Sequence, residues 1–195
     1  MQKSTLLLVS FLLLYLASFC QSATRDDKEF RISSGFGLGS ATENVSSIGT
    51  DLWIQFDYKL AKHFSIAMDF DGINYKQNGF YSDLPVKPNE MSVIDNNFSL
   101  LAKYHFSPTK KIKIELASGW TYCIRQTDYY KYFSITNQQE WFPNVSSSSD
   151  YRIPFVAELA YPIVHNLDIT LRIKYNMNGQ NGNTYSSGAG LSLKL

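Results

Sequence analysis

Hydrophobic and polar residues alternate along most of the chain with the two-residue period of a β-strand. In the first such segment, Phe30, Ile32, Phe36 and Leu38 alternate with polar residues and glycines. Seven later segments repeat the pattern, and each has about the ten residues that a tilted strand needs to cross a bilayer. The eight predicted strands are 30–38, 52–60, 64–70, 98–106, 112–124, 151–161, 167–175 and 185–195.

The connections between these segments alternate in length. The short ones are 61–63, 107–111 and 162–166, and the longer ones are 40–49, 76–92, 126–150 and 176–183. Bacterial outer-membrane barrels show this asymmetry, with tight periplasmic turns and longer external loops. The sequence therefore predicts an all-β fold, a closed antiparallel up-and-down eight-stranded transmembrane β-barrel. An even number of strands places both of its ends on the periplasmic side.

Alternation alone leaves open which face of the barrel points outward. A soluble lipocalin-like barrel would place the apolar face inside. Here the apolar face is almost free of charge, and a charge on a lipid-facing surface costs about 2–4 kcal/mol at the bilayer midplane. The other face carries both signs, which suits an interior where buried ions pair. We expect the inner network to contain Asp57, Lys59, Asp69, Lys103, Glu115, Arg152, Glu158, Arg172 and Lys174.

Aromatic residues lie near both ends of the predicted strands. Those at the short-turn ends are Tyr58, Phe64, Tyr104, Phe106 and Tyr161, and those at the long-loop ends are Tyr75, Tyr122, Tyr151, Tyr175 and Tyr185. Aromatic residues favour strands in general, but here Ile, Leu and Met occupy the strand centres. Two belts at headgroup level are typical of a membrane barrel.

Four residues on the predicted polar face of the strands do not fit the alternation of apolar and polar positions. Trp53, Leu101 and Val156 are apolar, and small barrels can bury such side chains as core filling. Pro154 cannot donate a ladder hydrogen bond, so we expect a β-bulge at that position.

The N-terminus differs from the rest of the chain. Lys3 precedes the apolar run 6–16, and the charged segment 25–29 follows. This arrangement predicts a signal peptide over 1–22 and a mature barrel over 23–195. Cleavage after Ala23 and lipidation of Cys20 are alternatives, although Phe19 stands where a lipidation site has a small residue. After cleavage, Cys123 is the only cysteine, so no internal disulfide is expected.

Composition limits the classes of partner. The 195 residues carry a formal net charge of +1, which is far from the clustered basic surface that nucleic-acid binding requires. We therefore expect no nucleic-acid partner. Outer-membrane lipid is the expected surrounding of the apolar face.

Three segments resemble the outer-membrane β-barrel domain family common in Bacteroidota. They are Phe98–Phe106, with its Leu-Leu-Ala-Lys-Tyr run, the following hairpin through Ile114–Gly119, and the closing strand Gly190–Leu195. The resemblance implies a small eight-stranded barrel delivered to the barrel assembly machinery by its last strand. Leu195 departs from the aromatic residue usual at that end, and the family implies no shared catalytic residues.

Candidate chemistry is sparse. His105 and Ser107 have the His-x-Ser spacing of a lipid A deacylase, but His105 is on the polar face at a short-turn end, so we expect an interior polar residue. His63 and His165 have no neighbouring metal-ligand spacing, and Asp69–Gly72 lacks the remaining ligands of a calcium loop. We predict no catalytic residue, no metal ligand and no cofactor, and hence no enzyme.

Three functional hypotheses follow. The first is a structural or surface-interaction barrel without a wide channel, with the loop 126–150 as the contact for an external ligand. The second is a small-ligand binder or narrow pore, including a soluble lipocalin-like barrel. The third is an outer-leaflet lipid-modifying enzyme acting through His105.

Overall fold

The computed structural model describes residues 29–42, 45–77, 91–109, 111–135, 138–177 and 182–195, with the backbone alone for 45–47, 77, 129–135 and 138–144. The predicted signal peptide 1–22 lies outside the described residues. None of the described residues form a helix with the length and apolarity that a membrane crossing needs. The strands are β1 Phe30–Ala41, β2 Val45–Ala61, β3 Phe64–Gln77, β4 Met91–Phe106, β5 Lys113–Ile135, β6 Gln138–Val164, β7 Leu167–Met177 and β8 Thr184–Lys194.

The eight strands close into a barrel. Each strand pairs antiparallel with the next in sequence, and β8 pairs with β1. Gly35 of β1, for example, lies opposite Trp53 of β2 on one side and Gly190 of β8 on the other. The predicted closed up-and-down topology is confirmed.

The two ends of the barrel differ. At the end that we call the short-turn end, strands connect through 62–63, 107–112 and 165–166, and β1 begins and β8 ends there. At the opposite end, which we call the hairpin end, the β5–β6 ladder extends to Ile135 opposite Gln138; it begins at Lys113 opposite Ala160 and is interrupted at Gly119 and Trp120. The loops predicted at 40–49 and 126–150 are therefore wrong in extent, because most of both segments is strand. Backbone pairing needs no apolar alternation where both faces of a hairpin meet water.

The apolar face points outward. Leu52 and Leu100 are 65% and 61% exposed, whereas Leu101, the inward neighbour of Leu100, is 1% exposed. Among the described outward residues of the strands, charge occurs only near the hairpin end, at Lys76 and Asp128. This surface can be covered only by an apolar medium, so the inverted arrangement of a membrane barrel is confirmed.

Most members of the two aromatic belts are exposed on the outer surface, whereas Phe106 is half-buried at the short-turn end. The exposed members are Tyr58, Phe64, Tyr104 and Tyr161 towards the short-turn end, and Tyr122, Tyr151, Tyr175 and Tyr185 towards the hairpin end. Tyr75 was assigned to the belt incorrectly, because its side chain is buried inside the barrel. The centre of the outer face also contains aromatic residues, since Phe70 contacts both Phe56 and Phe98 edge to face.

The poorly fitting inward residues fill the interior. Trp53, Leu101 and Val156 are all buried, as predicted. The bulge predicted at Pro154 is absent: the β5–β6 ladder is interrupted at Gly119 and Trp120, and the register is the same on both sides of the interruption. A proline lacks the backbone N–H that would donate one hydrogen bond between the strands, but it adds no extra residue. The two strands therefore keep the same register on both sides of it.

Candidate functional site

Among the described residues, most of the charged side chains inside the barrel form three clusters along its axis, and a smaller group joins Asp168 to Lys194 at 2.8 Å. The central cluster joins Asp69 and Asp71 of β3 with Arg172 and Lys174 of β7. The guanidinium of Arg172 donates to both oxygens of Asp69 at 2.8 and 2.7 Å, and the ammonium of Lys174 donates to Asp69 at 2.8 Å and also to Asp71. Arg172 also lies over the ring of Trp53, 4.8 Å from its centroid. These contacts tie opposite walls of the barrel together.

The second cluster is nearer the short-turn end. The ammonium of Lys103 lies 2.6, 2.9 and 3.0 Å from carboxylate oxygens of Glu158, Glu115 and Asp57. Arg31 pairs with Glu115 and, at 3.2 Å, with Asp57. A buried apolar layer of Ala67, Leu101, Ala117 and Val156 lies between this cluster and the central one.

The third cluster is nearer the hairpin end. Arg125 donates to both oxygens of Asp95 at 2.6 and 2.7 Å and to the hydroxyl of Tyr75 at 2.8 Å. Arg152 bridges Asp95 at 3.1 Å and Asp150 at 2.9 Å. Together with the two other clusters, these side chains fill the width of the barrel.

Most of the predicted inner network is confirmed. Eight of its nine members are buried in these clusters, namely Asp57, Asp69, Lys103, Glu115, Arg152, Glu158, Arg172 and Lys174. Lys59 instead is half-buried at the short-turn mouth. The prediction omitted Arg31, Asp71 and Arg125, although the alternation already placed them on the polar face, and it omitted Asp95 and Asp150 because both lay outside the predicted strands.

A cavity of about 460 Å³ opens at the short-turn end, and we call it the mouth cavity. Its lining combines Arg31, Asp57, Lys59, Lys62, His63, Ser65, His105, Ser107, Lys113 and Glu115 with Glu29 and Phe106. His105 faces inward, as predicted, but its hydrogen-bond partner is Ser65 and not the Ser107 of the His-x-Ser spacing: His105 Nε2 lies 2.7 Å from Ser65 Oγ. Sequence reasoning missed Ser65 because only the strand register brings it to His105.

Other candidate chemistry is weaker. Among the described residues, no three His, Cys, Asp or Glu side chains are grouped as a metal site would require. Cys123 is a free, buried thiol on the inner face of β5.

No protein-family model and no curated protein matches the sequence. Solved structures do match. OprG from Pseudomonas aeruginosa aligns over 86% of this chain and 96% of its own, with a TM-score of 0.58 and 10% identity. Neisserial surface protein A aligns over 87% and 97%, with a TM-score of 0.57 and 15% identity. The fold is that of a small outer-membrane β-barrel.

A third match is the attachment invasion locus protein Ail of Yersinia pestis, whose structure was solved with the heparin analogue sucrose octasulfate. It aligns over 87% of this chain and 99% of its own, with a TM-score of 0.57 and 13% identity. At such identities the likeness establishes the fold alone, and it gives no support to a Bacteroidota type. The outer-membrane location agrees both with this fold and with the exposed apolar belt.

Proposed function

We propose that this chain is an outer-membrane surface-interaction barrel whose β5–β6 hairpin makes contact with a ligand outside the cell. The observation that carries the proposal is the length of that hairpin. Among the described residues, the pairing of β5 with β4 reaches Asp128 and that of β6 with β7 begins at Ile153, whereas β5 and β6 pair with each other as far as Ile135. At about 3.3 Å per residue, the hairpin projects roughly 20–25 Å beyond Asp128.

The composition of the hairpin favours aromatic contacts over charge. Between 126 and 150, the aromatic residues are Tyr129, Tyr130, Tyr132, Phe133, Trp141 and Phe142. Lys131 is the single basic residue there, beside the acidic Asp128, Glu140 and Asp150. Aromatic side chains are enriched in the cores of interfaces, whereas a sulfated polyanion such as the Ail ligand requires clustered basic residues. We therefore expect a ligand recognised by aromatic stacking and burial.

The filled interior supports a role in contact rather than transport. Buried ion pairs span the barrel at three levels, and an eight-stranded barrel is only wide enough for its own side chains. The proposal therefore includes no wide channel and no enzymatic role for the hairpin end.

A shortened hairpin tests the proposal. Residues 129–144 are replaced with Asn-Gly, a pair that suits a two-residue hairpin turn. Cells displaying the full or the shortened barrel are compared for attachment to hydrophobic, mucin-coated and serum-protein-coated surfaces. We expect the full barrel to promote attachment to at least one surface and the shortened one to lose it. The control Asp128→Ala should attach as the full barrel does.

Correct folding of each variant is checked by its heat-dependent gel mobility. If the folded, shortened barrel attaches as well as the full one, or if neither promotes attachment above cells without the protein, the proposal is wrong.

A further inference from the structure

The mouth cavity brings together three side chains with complementary acid–base chemistry from three adjacent strands. Ser65 is on β3, His105 on β4 and Glu115 on β5. The β4–β5 register places Glu115 directly opposite His105. All three line the same cavity, at the opposite end of the barrel from the β5–β6 hairpin.

The three side chains form a chain of contacts. Ser65 Oγ lies 2.7 Å from His105 Nε2, and His105 Nδ1 lies 3.4 Å from Glu115 Oε1. A serine within hydrogen-bond reach of a base, with the base oriented by a third group, is the arrangement that activates a nucleophile.

The neighbours of Glu115 determine which ring nitrogen of His105 carries the proton. Arg31 and Lys103 both pair with Glu115, and their charges hold it as a carboxylate, which can only accept hydrogen bonds. In a neutral His105 that contacts Glu115, Nδ1 must therefore be the protonated nitrogen. Nε2 then has a free lone pair, so the Ser65 hydroxyl donates to it. This is the tautomer in which His105 can act as a general base.

A cation lies beside the serine. Lys59 is the cross-strand partner of Ser65 and faces the same way, so their Cβ atoms are about 5 Å apart. Within the part of the chain that the structure describes, no carboxylate lies within ion-pair distance of the Lys59 ammonium. An uncommitted ammonium at this position can stabilise an oxyanion that develops next to Ser65 Oγ.

We infer that Ser65, His105 and Glu115 form an ester-hydrolysing site in the mouth cavity, with Lys59 as the oxyanion-stabilising group. Ser65 Oγ attacks the ester carbonyl carbon while its proton passes to His105 Nε2. The C–O bond to the alcohol then breaks, and His105 returns the proton to the departing oxygen. Water, activated by the same nitrogen, hydrolyses the acyl-serine and releases the carboxylic acid. A cavity of about 460 Å³ suits an ester with a short acyl chain.

This inference goes beyond the proposed surface role and departs from the expectation that the chain is not an enzyme. It also differs from the His-x-Ser hypothesis, because Ser107 is exposed in the turn and Ser65 holds the contact with His105.

A fluorophosphonate probe, which labels activated serines covalently, tests the site in the full barrel folded in detergent. We expect one adduct, mapped by mass spectrometry to the peptide containing Ser65, and hydrolysis of p-nitrophenyl butyrate by the unlabelled protein. Ser65→Ala should abolish both. His105→Ala should lower hydrolysis at least 100-fold, the usual contribution of a general base. Ser34→Ala is the control, because Ser34 is exposed on the outer face of β1 and does not line the mouth cavity; it should change neither.

Heat-dependent gel mobility shows that each variant is folded. The inference is overturned if the folded wild-type barrel neither reacts with the probe nor hydrolyses the ester, or if labelling persists in His105→Ala. In either case the Ser65–His105 hydrogen bond serves only to satisfy two interior polar groups.

Discussion

At the residue scale, several interior carboxylates each pair with two cations, as Asp57, Asp69 and Asp95 do. Asp69 accepts from Arg172 and Lys174, and all three side chains are buried. Asp69→Ala would remove the carboxylate that both Arg172 and Lys174 pair with. Breaking a buried pair from one side costs about 3–5 kcal/mol, so we expect the free energy of unfolding in urea, measured in lipid vesicles, to fall by that amount.

The matched control is Asp128→Ala, which removes an exposed carboxylate near the hairpin end of β5. Its free energy of unfolding should change by less than about 0.5 kcal/mol, as is usual for a surface substitution. Equal losses in the two variants would mean that Asp69 is not a buried counter-ion.

At the β1–β8 seam, the Trp53 ring packs against two glycines, Gly35 and Gly190. A Cβ added at Gly190 would lie 2.3 Å from the carbonyl oxygen of Ser34 and 2.7 Å from the Trp53 ring. Gly190→Ala should therefore destabilise the barrel by about 1–3 kcal/mol, the usual cost of overpacking. The measurement is the same urea titration.

Gly72→Ala provides the comparison, since a Cβ there would meet nothing closer than 3.6 Å. A Gly190→Ala barrel as stable as Gly72→Ala would show that Trp53 does not occupy the seam.

The alternation of inward and outward positions along each strand predicted which side chains are buried in most cases. The prediction for Tyr75 was wrong because it departed from this alternation. Tyr75 has the same parity as Asp69 and Asp71, which are inside, but its aromatic character suggested the outer belt. Its hydroxyl accepts a hydrogen bond from Arg125 inside the barrel. The Ser65–His105 contact could not be predicted, because it depends on the register between β3 and β4.

At the scale of elements, the lipid-facing rows of β3, β4, β5 and β6 become polar towards the hairpin end. On β4, Leu100 lies in the apolar belt, and Asn96 faces outward nearer the hairpin end. Leu100→Arg should cost about 2–4 kcal/mol in vesicles and Asn96→Arg about 0–1 kcal/mol, because the penalty for arginine falls towards the interface. Similar costs for the two variants would place the membrane elsewhere on the strand.

The lengths of the elements were the least predictable feature. The segments 45–49 and 126–150 lack clean alternation, so they were interpreted as loops. Apolar and polar residues alternate along a strand only when its two faces meet different surroundings. Above the membrane both faces meet water, so no alternation is expected there. Backbone pairing continues there without a pattern that the sequence could show.

At the scale of the whole molecule, the barrel is closed and its interior is filled. The three ion-pair clusters leave no wide aqueous path, so we expect no persistent open channel in planar bilayers at moderate voltage. Single-channel recording checks this, with a wide porin in the same bilayer as the positive control. Stable, long-lived conductance steps from the purified barrel would instead favour the narrow-pore hypothesis.

The central claim is that the apolar face of this barrel contacts lipid and the charged face lies inside. Spin labels placed singly at 98 to 103 of β4, in a Cys123→Ala background and reconstituted in lipid vesicles, test it most directly. We predict that oxygen, which dissolves in lipid, relaxes the labels at Phe98, Leu100 and Ala102 strongly and those at Ser99, Leu101 and Lys103 weakly. The opposite alternation, or labels at Phe98, Leu100 and Ala102 that are more accessible to a water-soluble relaxant than to oxygen, would contradict the account.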